Sequence, residues 1–256
     1  MSITRNPARL LVASLQLILA VVGLLGWEWA ARSTPKIQFL LSRPTLILNR
    51  LVIWLESIYT YRDIMLTLSE TVIGFVVGAL AGFALAVVCY YSPFLYQVIR
   101  PGLEMLNAMP RVVFTPLFLL WFGLGLTSKA VMAASLVLFI VFVGTLSGLQ
   151  EVDQGLINRL RVMGANHWDL LRHALIPSGL TWVFSSLRSS VGFALAGAVV
   201  SEYLGSSKGL GYRIALAEGN LDSTGIFAGL MILGVVVLGM NTGLYKLEQR
   251  LMPWKA

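Results

Sequence analysis

Long runs without a charged side chain constrain this chain more than any other feature. They cover residues 10–27, 71–99, 112–128, 130–150 and 223–245. A helix needs roughly 20 apolar residues to cross a bilayer, so each run is close to or beyond that length. The buried core of a soluble protein explains one such run but not five. Only 12% of the residues are charged, against about 25% in a typical soluble domain. The sequence therefore predicts an all-α integral membrane protein.

Six membrane-spanning helices are expected. The sixth candidate, 180–204, qualifies although Arg188 interrupts it. The expected helices are approximately 10–31, 64–91, a third beginning within 107–125, then 129–149, 180–204 and 224–246. The first run follows Arg5 and Arg9, so the apolar part of a signal peptide is the alternative for it. We expect it to be retained as a helix.

The order of apolar and amphipathic segments predicts that the chain is divided into two regions. Residues 47–61 are amphipathic and are expected to lie along the membrane surface. Residues 1–63 would then form an N-terminal span followed by an amphipathic extracytoplasmic segment. Residues 64–256 would form a five-helix core with a polar loop at 150–179.

Three glycines in the second helix predict a close helix contact. Gly74, Gly78 and Gly82 are four residues apart and therefore lie on one helix face. Small residues on one face allow a neighbouring backbone to approach closely. The general abundance of glycine in membrane helices is the alternative explanation.

The distribution of positive charge along the chain is interpreted as a signal for the orientation of the protein in the membrane. The formal net charge is +7, and with a cytoplasmic N-terminus and six spans slightly more Lys and Arg fall inside than outside. This is the direction of the positive-inside rule. Both termini are therefore expected in the cytoplasm, and no nucleic-acid partner is expected.

The sequence lacks the common signatures of catalysis. It contains no GxxxxGK[ST] and no HExxH, and its single cysteine, Cys89, lies in an apolar run. The stretch GTLSG (144–148) is similar to the serine motif of intramembrane proteases. Those enzymes need a histidine base, but both histidines, His167 and His173, lie in the polar loop. No catalytic residue and no metal site are expected.

A solute pathway is expected where the third span is irregular. Pro110 and Pro116 should disrupt its first turns, and such breaks persist at membrane depth where they line a cavity. Glu70 and Glu202 are the acidic residues expected inside spans, and their scarcity argues against a proton- or sodium-coupled carrier. Helix packing is the alternative role for every pathway candidate. The candidates are Asn107, Met109, Pro116, Trp121, Ser190, Phe193, Ser201 and Glu202.

The loop RVMGANHWDLLRHALIPSG (161–179) resembles a helix with one apolar face. Gly164 permits a bend in it, and Pro177 should end it before the fifth span. A helix lying on the membrane surface is the alternative. On a helical wheel the apolar face holds Ile157, Leu160, Gly164, Trp168, Leu171 and Leu175.

This loop resembles the cytoplasmic signature loop of binding-protein-dependent ABC-transporter permeases. The family glycine corresponds to Gly164 and the closing pair to Ile176 and Pro177, whereas the family's Glu-Ala-Ala is replaced by residues 158–160, Asn-Arg-Leu. The similarity covers about residues 64–250. Two further stretches, 100–125 with its Trp-Phe-Gly-Leu-Gly and 199–215 with its Gly-Leu-Gly-Tyr, are similar to the nitrate/sulfonate/taurine branch.

The resemblance implies a type I ABC importer-like permease fold with a coupling helix between helices four and five. Its implied partners are a second permease copy, two ATP-binding cassette subunits, an extracytoplasmic solute-binding protein and membrane lipid. The chain itself would hold no cofactor, since ATP and Mg would bind the partner ATPase. The implied location is the bacterial inner membrane. The residues expected to contact the ATPase are Arg161, Gly164, Ala165, Trp168, Leu171, Arg172, His173 and Pro177.

The branch implies a small anion as cargo, such as a sulfonate, taurine or nitrate. A thiamine-precursor-like or aromatic nutrient is the alternative within the same class of importer. A secondary carrier that works without an ATPase is the alternative from another class.

Overall fold

The computed structural model describes residues 7–170, 172 and 176–252, and helices joined by short turns account for them. Pro35, Pro44 and Pro93 each open a helix, where the missing N–H is harmless. The helices are α1 (Pro7–Ser33), α2 (Pro35–Leu41), α3 (Pro44–Leu55), α4 (Ile58–Tyr91), α5 (Pro93–Ala108), a 3-10 turn (Arg111–Phe114), α6 (Thr115–Phe122), α7 (Leu126–Gln150), α8 (Gln154–Val162), α9 (His167–Leu170), α10 (Ile176–Gly205), α11 (Leu210–Gly219) and α12 (Ser223–Leu251).

Five helices in the described part of the chain are long and apolar enough to cross a membrane. A sixth span results when α5 is counted together with the 3-10 turn and α6, which are bent by 92° at their junction. The predicted all-α, six-span architecture is confirmed with this bent pair as the third span. The five continuous spans are Ser14–Ser33, α4, α7, Gly179–Gly205 and α12.

Two boundaries differ from the sequence-based expectation. Helix α4 begins at Ile58 rather than near residue 64, and the amphipathic helix α3 ends at Leu55 rather than at 61. The expectation assigned residues 32–63, which include Arg62 and Asp63, to the mixed segment before the helix. Helical hydrogen bonding continues through these charged residues, because a polar side chain does not interrupt the backbone ladder.

The prolines of the third span break it as expected. Met109, which precedes Pro110, has φ −78° and ψ 136°, an extended conformation that ends α5. Proline disfavours the α-helical conformation of the residue before it. The chain then turns through residues 111–114 before Pro116 opens α6.

Contacts divide the chain into two compact units, of which the first comprises the chain up to Thr60 and Arg213–Met231. Within it, Arg50 Nη1 lies 2.7 Å from Asp222 Oδ2, and the hydroxyls of Ser42 and Thr224 are 2.7 Å apart. These polar contacts link α3 and the turn before it to the start of α12.

The second unit comprises Tyr61–Tyr212 and the chain from Ile232 onward, and α7 is its central helix. A Cβ added at Gly74 would lie 2.5 Å from Ala133 Cβ, and one added at Gly78 would lie 2.5 Å from the Ala134 carbonyl oxygen. The glycine face of α4 therefore contacts the α7 backbone, as predicted. The buried side chains of Val137 and Ala194 join α7 to α10 in one hydrophobic cluster.

Candidate functional site

The connection between α7 and α10 begins with a short helix that is capped at both ends. Asp153 Oδ1 accepts a hydrogen bond from Gly155 N at 2.8 Å at the start of α8. At its end, Gly164 N donates to Arg161 O and Ala165 N donates to Leu160 O. This pair of bonds defines a Schellman motif, which needs a left-handed residue at the position of Gly164. Gly164 has φ +88°.

Helix α9 is capped by a neighbouring amide. Asn166 Oδ1 accepts hydrogen bonds from Trp168 N at 2.8 Å and from Asp169 N at 2.9 Å. In return, Asn166 N donates to Asp169 Oδ2 at 3.1 Å. Reciprocal bonds of this kind satisfy the free donors of a helix start. The single expected loop helix is therefore two short helices, because Gly164 interrupts it.

Apolar side chains attach the α8–α9 segment (residues 154–170) to one end of the membrane bundle. Ile157 and Leu170 are both 3% exposed and pack in a cluster with Leu149 and Val152. Leu160 and Ala165 are partly buried against the same cluster. The segment is thus fixed to the last turns of α7 by about one hydrophobic side chain per helical turn.

Three large apolar side chains point away from that attachment. Val162 is 90% exposed, Met163 is 82% exposed and Trp168 is 69% exposed. The helical wheel placed Trp168 on the same face as Ile157. The turn at Gly164 rotates α9 relative to α8, so the two helices do not share one continuous face. Leu170 rather than Trp168 is therefore the buried side chain of α9. The segment therefore presents an apolar tip that nothing in its own chain covers within the described residues.

The residues expected to contact an ATPase fall in several environments. Arg161 and Arg172 are exposed, and Gly164 lies in the turn between the two helices. Pro177 is in the first turn of α10. Leu171 and His173 lie outside the described residues.

A cavity of about 640 Å³ opens between the broken third span, α7 and α10. It is lined by Asn107, Met109, Arg111, Leu136, Phe139, Ile140, Val143, Gly144, Trp182, Ser185, Ser186, Ser189 and Phe193. A smaller cavity of about 190 Å³ shares Asn107, Phe139 and Val143 with it. None of the residues that line the larger cavity is acidic. The wall combines aromatic rings, serine hydroxyls and one cationic side chain.

Arg111 is that cation, and its guanidinium is held on three sides. Nη2 donates to Asn107 Oδ1 at 2.8 Å. Nη1 donates to the carbonyl oxygens of Ser135 at 3.4 Å and Leu136 at 3.3 Å. The group also stacks over the Phe139 ring, 4.0 Å from its centroid. The chain break at Pro110 brings Arg111 to this position beside α7.

The expected pathway residues divide into two groups. Asn107, Met109 and Phe193 line the larger cavity. The others do not line it. Pro116 and Trp121 are exposed on α6, whereas Ser190, Ser201 and Glu202 are buried within α10.

Glu202 instead holds the turn between α10 and α11. Its Oε1 accepts from Thr67 Oγ1 and its Oε2 from Gly211 N, both at 2.6 Å. Thr67 Oγ1 in turn accepts from Leu210 N at 2.9 Å. The Gly-Leu-Gly-Tyr stretch is therefore a helix start whose first N–H groups are satisfied by side chains of two spans.

A buried ion pair joins α4 to α7 near the same end. Glu70 Oε1 lies 3.8 Å from Lys129 Nζ, and both side chains are at most 3% exposed. Lys129 also donates to Leu124 O at 2.6 Å and Gly125 O at 3.2 Å. No group of three or more His, Cys, Asp and Glu side chains within the described ranges is arranged to hold a metal ion.

Comparison with known families decides what kind of protein this is. Residues 74–253 match the family of binding-protein-dependent transport system inner membrane components. The chain belongs to this family. It is therefore an ABC-transporter permease, a transport subunit and a multi-pass membrane protein, as the loop at 161–179 predicted.

Relatives of this permease are named for several different solutes. The riboflavin transport system permease protein of Chloroflexus aurantiacus is 31% identical over 98% of this chain and 91% of its own length. A putative aliphatic sulfonates transport permease protein of Bacillus subtilis is 31% identical over 96% and 86%. The formylaminopyrimidine transport permease protein of Halalkalibacterium halodurans is 30% identical over 90% and 91%.

The fold of the permease is that of type I importers. The inward-facing methionine ABC transporter MetNI superposes with a TM-score of 0.66 at 18% identity, over 74% of this chain and 94% of the compared chain. This similarity confirms the predicted fold class.

Arg111 and most other residues that line the permease cavity were missed by sequence reasoning. The expectation included Asn107, Met109 and Phe193 of the lining, and it counted Arg111 among the topological charges. The available signal was a cation at the break of an apolar span. Such a residue is costly unless it faces protein or a water-filled cavity.

Proposed function

We propose that this permease imports a small organic or inorganic anion, such as a sulfonate, taurine or nitrate, and that ATPase subunits drive it through the α8–α9 segment. Two copies of the chain would enclose the path. A solute-binding protein would deliver the solute on the extracytoplasmic side, and ATP and Mg would bind the partner ATPases. This chain would contribute no catalytic residue.

The observation that carries the coupling role is the apolar tip of the α8–α9 segment. A segment fixed by Ile157 and Leu170 moves together with α7, so a force applied at the tip is transmitted to the spans. The exposed Val162, Met163 and Trp168 would fill an apolar groove of the ATPase. Arg161 and Arg172 would supply charged contacts at the rim, where such contacts favour the correct partner.

The proposed docking of ATPases on the α8–α9 segment also implies the orientation of the permease in the membrane. ATPases are cytoplasmic, so the end of the bundle that carries the α8–α9 segment faces the cytoplasm. With six spans, both termini are then cytoplasmic as well. The bacterial inner membrane is the location that fits this arrangement.

The proposed cargo is supported by the relative that is named as a putative aliphatic sulfonates permease and by the lining of the larger cavity. A cavity with a guanidinium, several hydroxyls and no carboxylate favours a negative solute. The aromatic rings of Phe139, Trp182 and Phe193 support the second candidate, an aromatic nutrient, in line with the names of the riboflavin and formylaminopyrimidine relatives.

Co-purification tests the coupling role. The permease is expressed with its ATPase and isolated in mild detergent, as wild type and as Trp168→Ala. We expect equal amounts of ATPase with wild type and a clear loss with the variant, because Trp168 is 69% exposed and contributes to docking rather than to folding. Trp29→Ala is the matched control, since Trp29 is 75% exposed on α1.

Two results contradict the proposal. Retention of the ATPase by Trp168→Ala at the level of Trp29→Ala removes the apolar tip from the interface. Solute transport by the permease alone, without ATP, would identify a secondary carrier.

A further inference from the structure

We propose that Arg111 is the residue that selects anions in the pathway: its guanidinium binds the charged oxygen atoms of the solute in the larger cavity, near the middle of the membrane. This inference rests on the proposed function, because it assigns the charge selectivity of the same path to one side chain.

The lack of a counter-charge is the first observation. Two other cations within or beside the spans of this unit are paired, Lys129 with Glu70 at 3.8 Å and Arg188 with Glu248 at 3.2 Å. Within residues 7–170, 172 and 176–252, the structure gives Arg111 no ion-pair partner. A cation in a low-dielectric environment is costly unless an anion or a polar cavity compensates it.

The depth of Arg111 is the second observation. Its guanidinium bonds to the carbonyl oxygens of Ser135 and Leu136. Ser135 lies roughly 14 Å along α7 from Leu126, at about 1.5 Å per residue. The hydrocarbon core of a bilayer is about 30 Å thick, so Arg111 lies close to its midplane. A charge at the rim of the bundle is exposed to water and would not discriminate between solutes. A charge at this depth meets every solute that crosses the membrane through the cavity.

The way the guanidinium is held is the third observation. Phe139 fixes its plane and Asn107 fixes one edge at 2.8 Å, whereas the bonds of Nη1 to two carbonyl oxygens are long, at 3.3 and 3.4 Å. The Nε–H has no hydrogen-bond partner in the described residues. A fixed, planar guanidinium with donors to spare binds planar or tetrahedral oxyanions through paired hydrogen bonds.

The surrounding cavity suits such a solute. It has about 640 Å³ of space, enough for a sulfonate of a few carbon atoms together with water. Ser185, on the facing helix α10, lines it, and its hydroxyl has no protein partner within the described part of the chain. This hydroxyl supplies a neutral donor across the cavity from Arg111.

A purely structural role for Arg111 predicts a different behaviour. Its bonds to α7 also hold the turn after Pro110, so replacing Arg111 itself disturbs both the fold and the proposed site. Asn107→Asp separates the two roles. The aspartate keeps an oxygen where Asn107 Oδ1 accepts from Nη2, but it places a negative charge on the guanidinium. Structural support is then preserved or strengthened, whereas anion binding is lost.

The experiment measures taurine uptake by proteoliposomes that contain the complete importer, its binding protein and ATP. We expect Asn107→Asp to lower the initial uptake rate at least tenfold, the effect of losing roughly 1.4 kcal/mol or more of a charge-assisted interaction. Asn220→Asp, the same exchange at an exposed turn, is the matched control and should leave uptake unchanged.

The outcomes separate this inference from the proposed function. If wild-type importer takes up taurine and Asn107→Asp does so equally well, Arg111 does not select the solute, although the permease imports anions. If wild type takes up neither taurine, nitrate nor an alkyl sulfonate but does take up an aromatic nutrient, the anion cargo itself is refuted. Uptake that falls together with protein yield in Asn107→Asp, but not in Asn220→Asp, assigns Arg111 to structure alone.

Discussion

The contact between α4 and α7 predicts how the permease responds to a single added methyl group. At Gly78, an added Cβ would lie 2.5 Å from Ala134 O, 2.9 Å from Ala134 Cα and 2.9 Å from Val137 Cβ. Carbon-to-oxygen contacts begin near 3.3 Å and carbon-to-carbon contacts near 3.5 Å, so the two helices must separate by roughly 0.6 to 0.8 Å.

Helix α7 is also closely packed against α10, which limits how far it can shift. A Cβ added at Gly197 of α10 would lie 2.9 Å from Ala133 Cα. Overpacking of this kind costs about 1–3 kcal/mol. The gain in helix propensity from Gly to Ala, about 1 kcal/mol, opposes it.

A control with the same propensity gain isolates the packing cost. Gly234 lies in α12, and nothing lies within 4 Å of a Cβ added there. Gly78→Ala should therefore be less stable than Gly234→Ala by about 1–3 kcal/mol. For a chain of this size the difference corresponds to roughly 2–12 °C in Tm.

The assay is thermal unfolding of the two variants in one detergent at one scan rate, because membrane proteins unfold irreversibly and their apparent Tm depends on the rate. Circular dichroism or intrinsic tryptophan fluorescence reports the transition. If Gly78→Ala is as stable as Gly234→Ala, then α4 and α7 do not approach as closely as described.

Two further predictions concern the buried ion pair and the Schellman turn. Lys129→Met should lower the yield of folded protein in detergent, because it removes the cation beside the buried Glu70 together with the bonds of that cation to Leu124 O and Gly125 O, and adding Glu70→Gln should restore part of the yield. If the double variant is no better than Lys129→Met, the pair is not the cause. Gly164→Ala should reduce ATP-coupled uptake and lower Tm by roughly 2–8 °C, since φ +88° disfavours alanine by about 1–2 kcal/mol while the added methyl meets nothing within 4 Å. Gly164→Asn should retain more uptake, because Asn tolerates this conformation, and equal uptake by both variants would refute the conformational explanation.

The positions of the spans and their close contacts were predictable from local patterns. Charge-free runs indicated five of the spans, and 180–204 was recognised as a span although Arg188 interrupts it. The spacing of Gly74, Gly78 and Gly82 predicted the face that meets α7. The prolines predicted a break in the third span. The 92° bend was not predictable, because proline removes a hydrogen bond without fixing the direction of the chain that follows.

The candidate site was predicted less completely. Gly164 was correctly expected to divide the loop, yet the wheel assumed one continuous helix and therefore missed that Leu170 would be buried. Arg111 was not predicted as a cavity residue, since its partners are carbonyl oxygens of Ser135 and Leu136 on another helix. A cation at the break of an apolar span indicates that it faces protein or a cavity, but the sequence of that segment does not show which helix the cation contacts.

The burial of Cys89 gives the permease a natural reporter of its own motion. Cys89 is 2% exposed and belongs to a buried cluster with Phe142 of α7, against which Tyr96, Ile99 and Leu103 of α5 pack. A water-soluble thiol reagent reaches it only when α5 lifts away from the ends of α4 and α7. With one cysteine in the whole chain, the rate of its labelling in the presence and absence of ATP measures the opening of that layer directly, without an introduced probe.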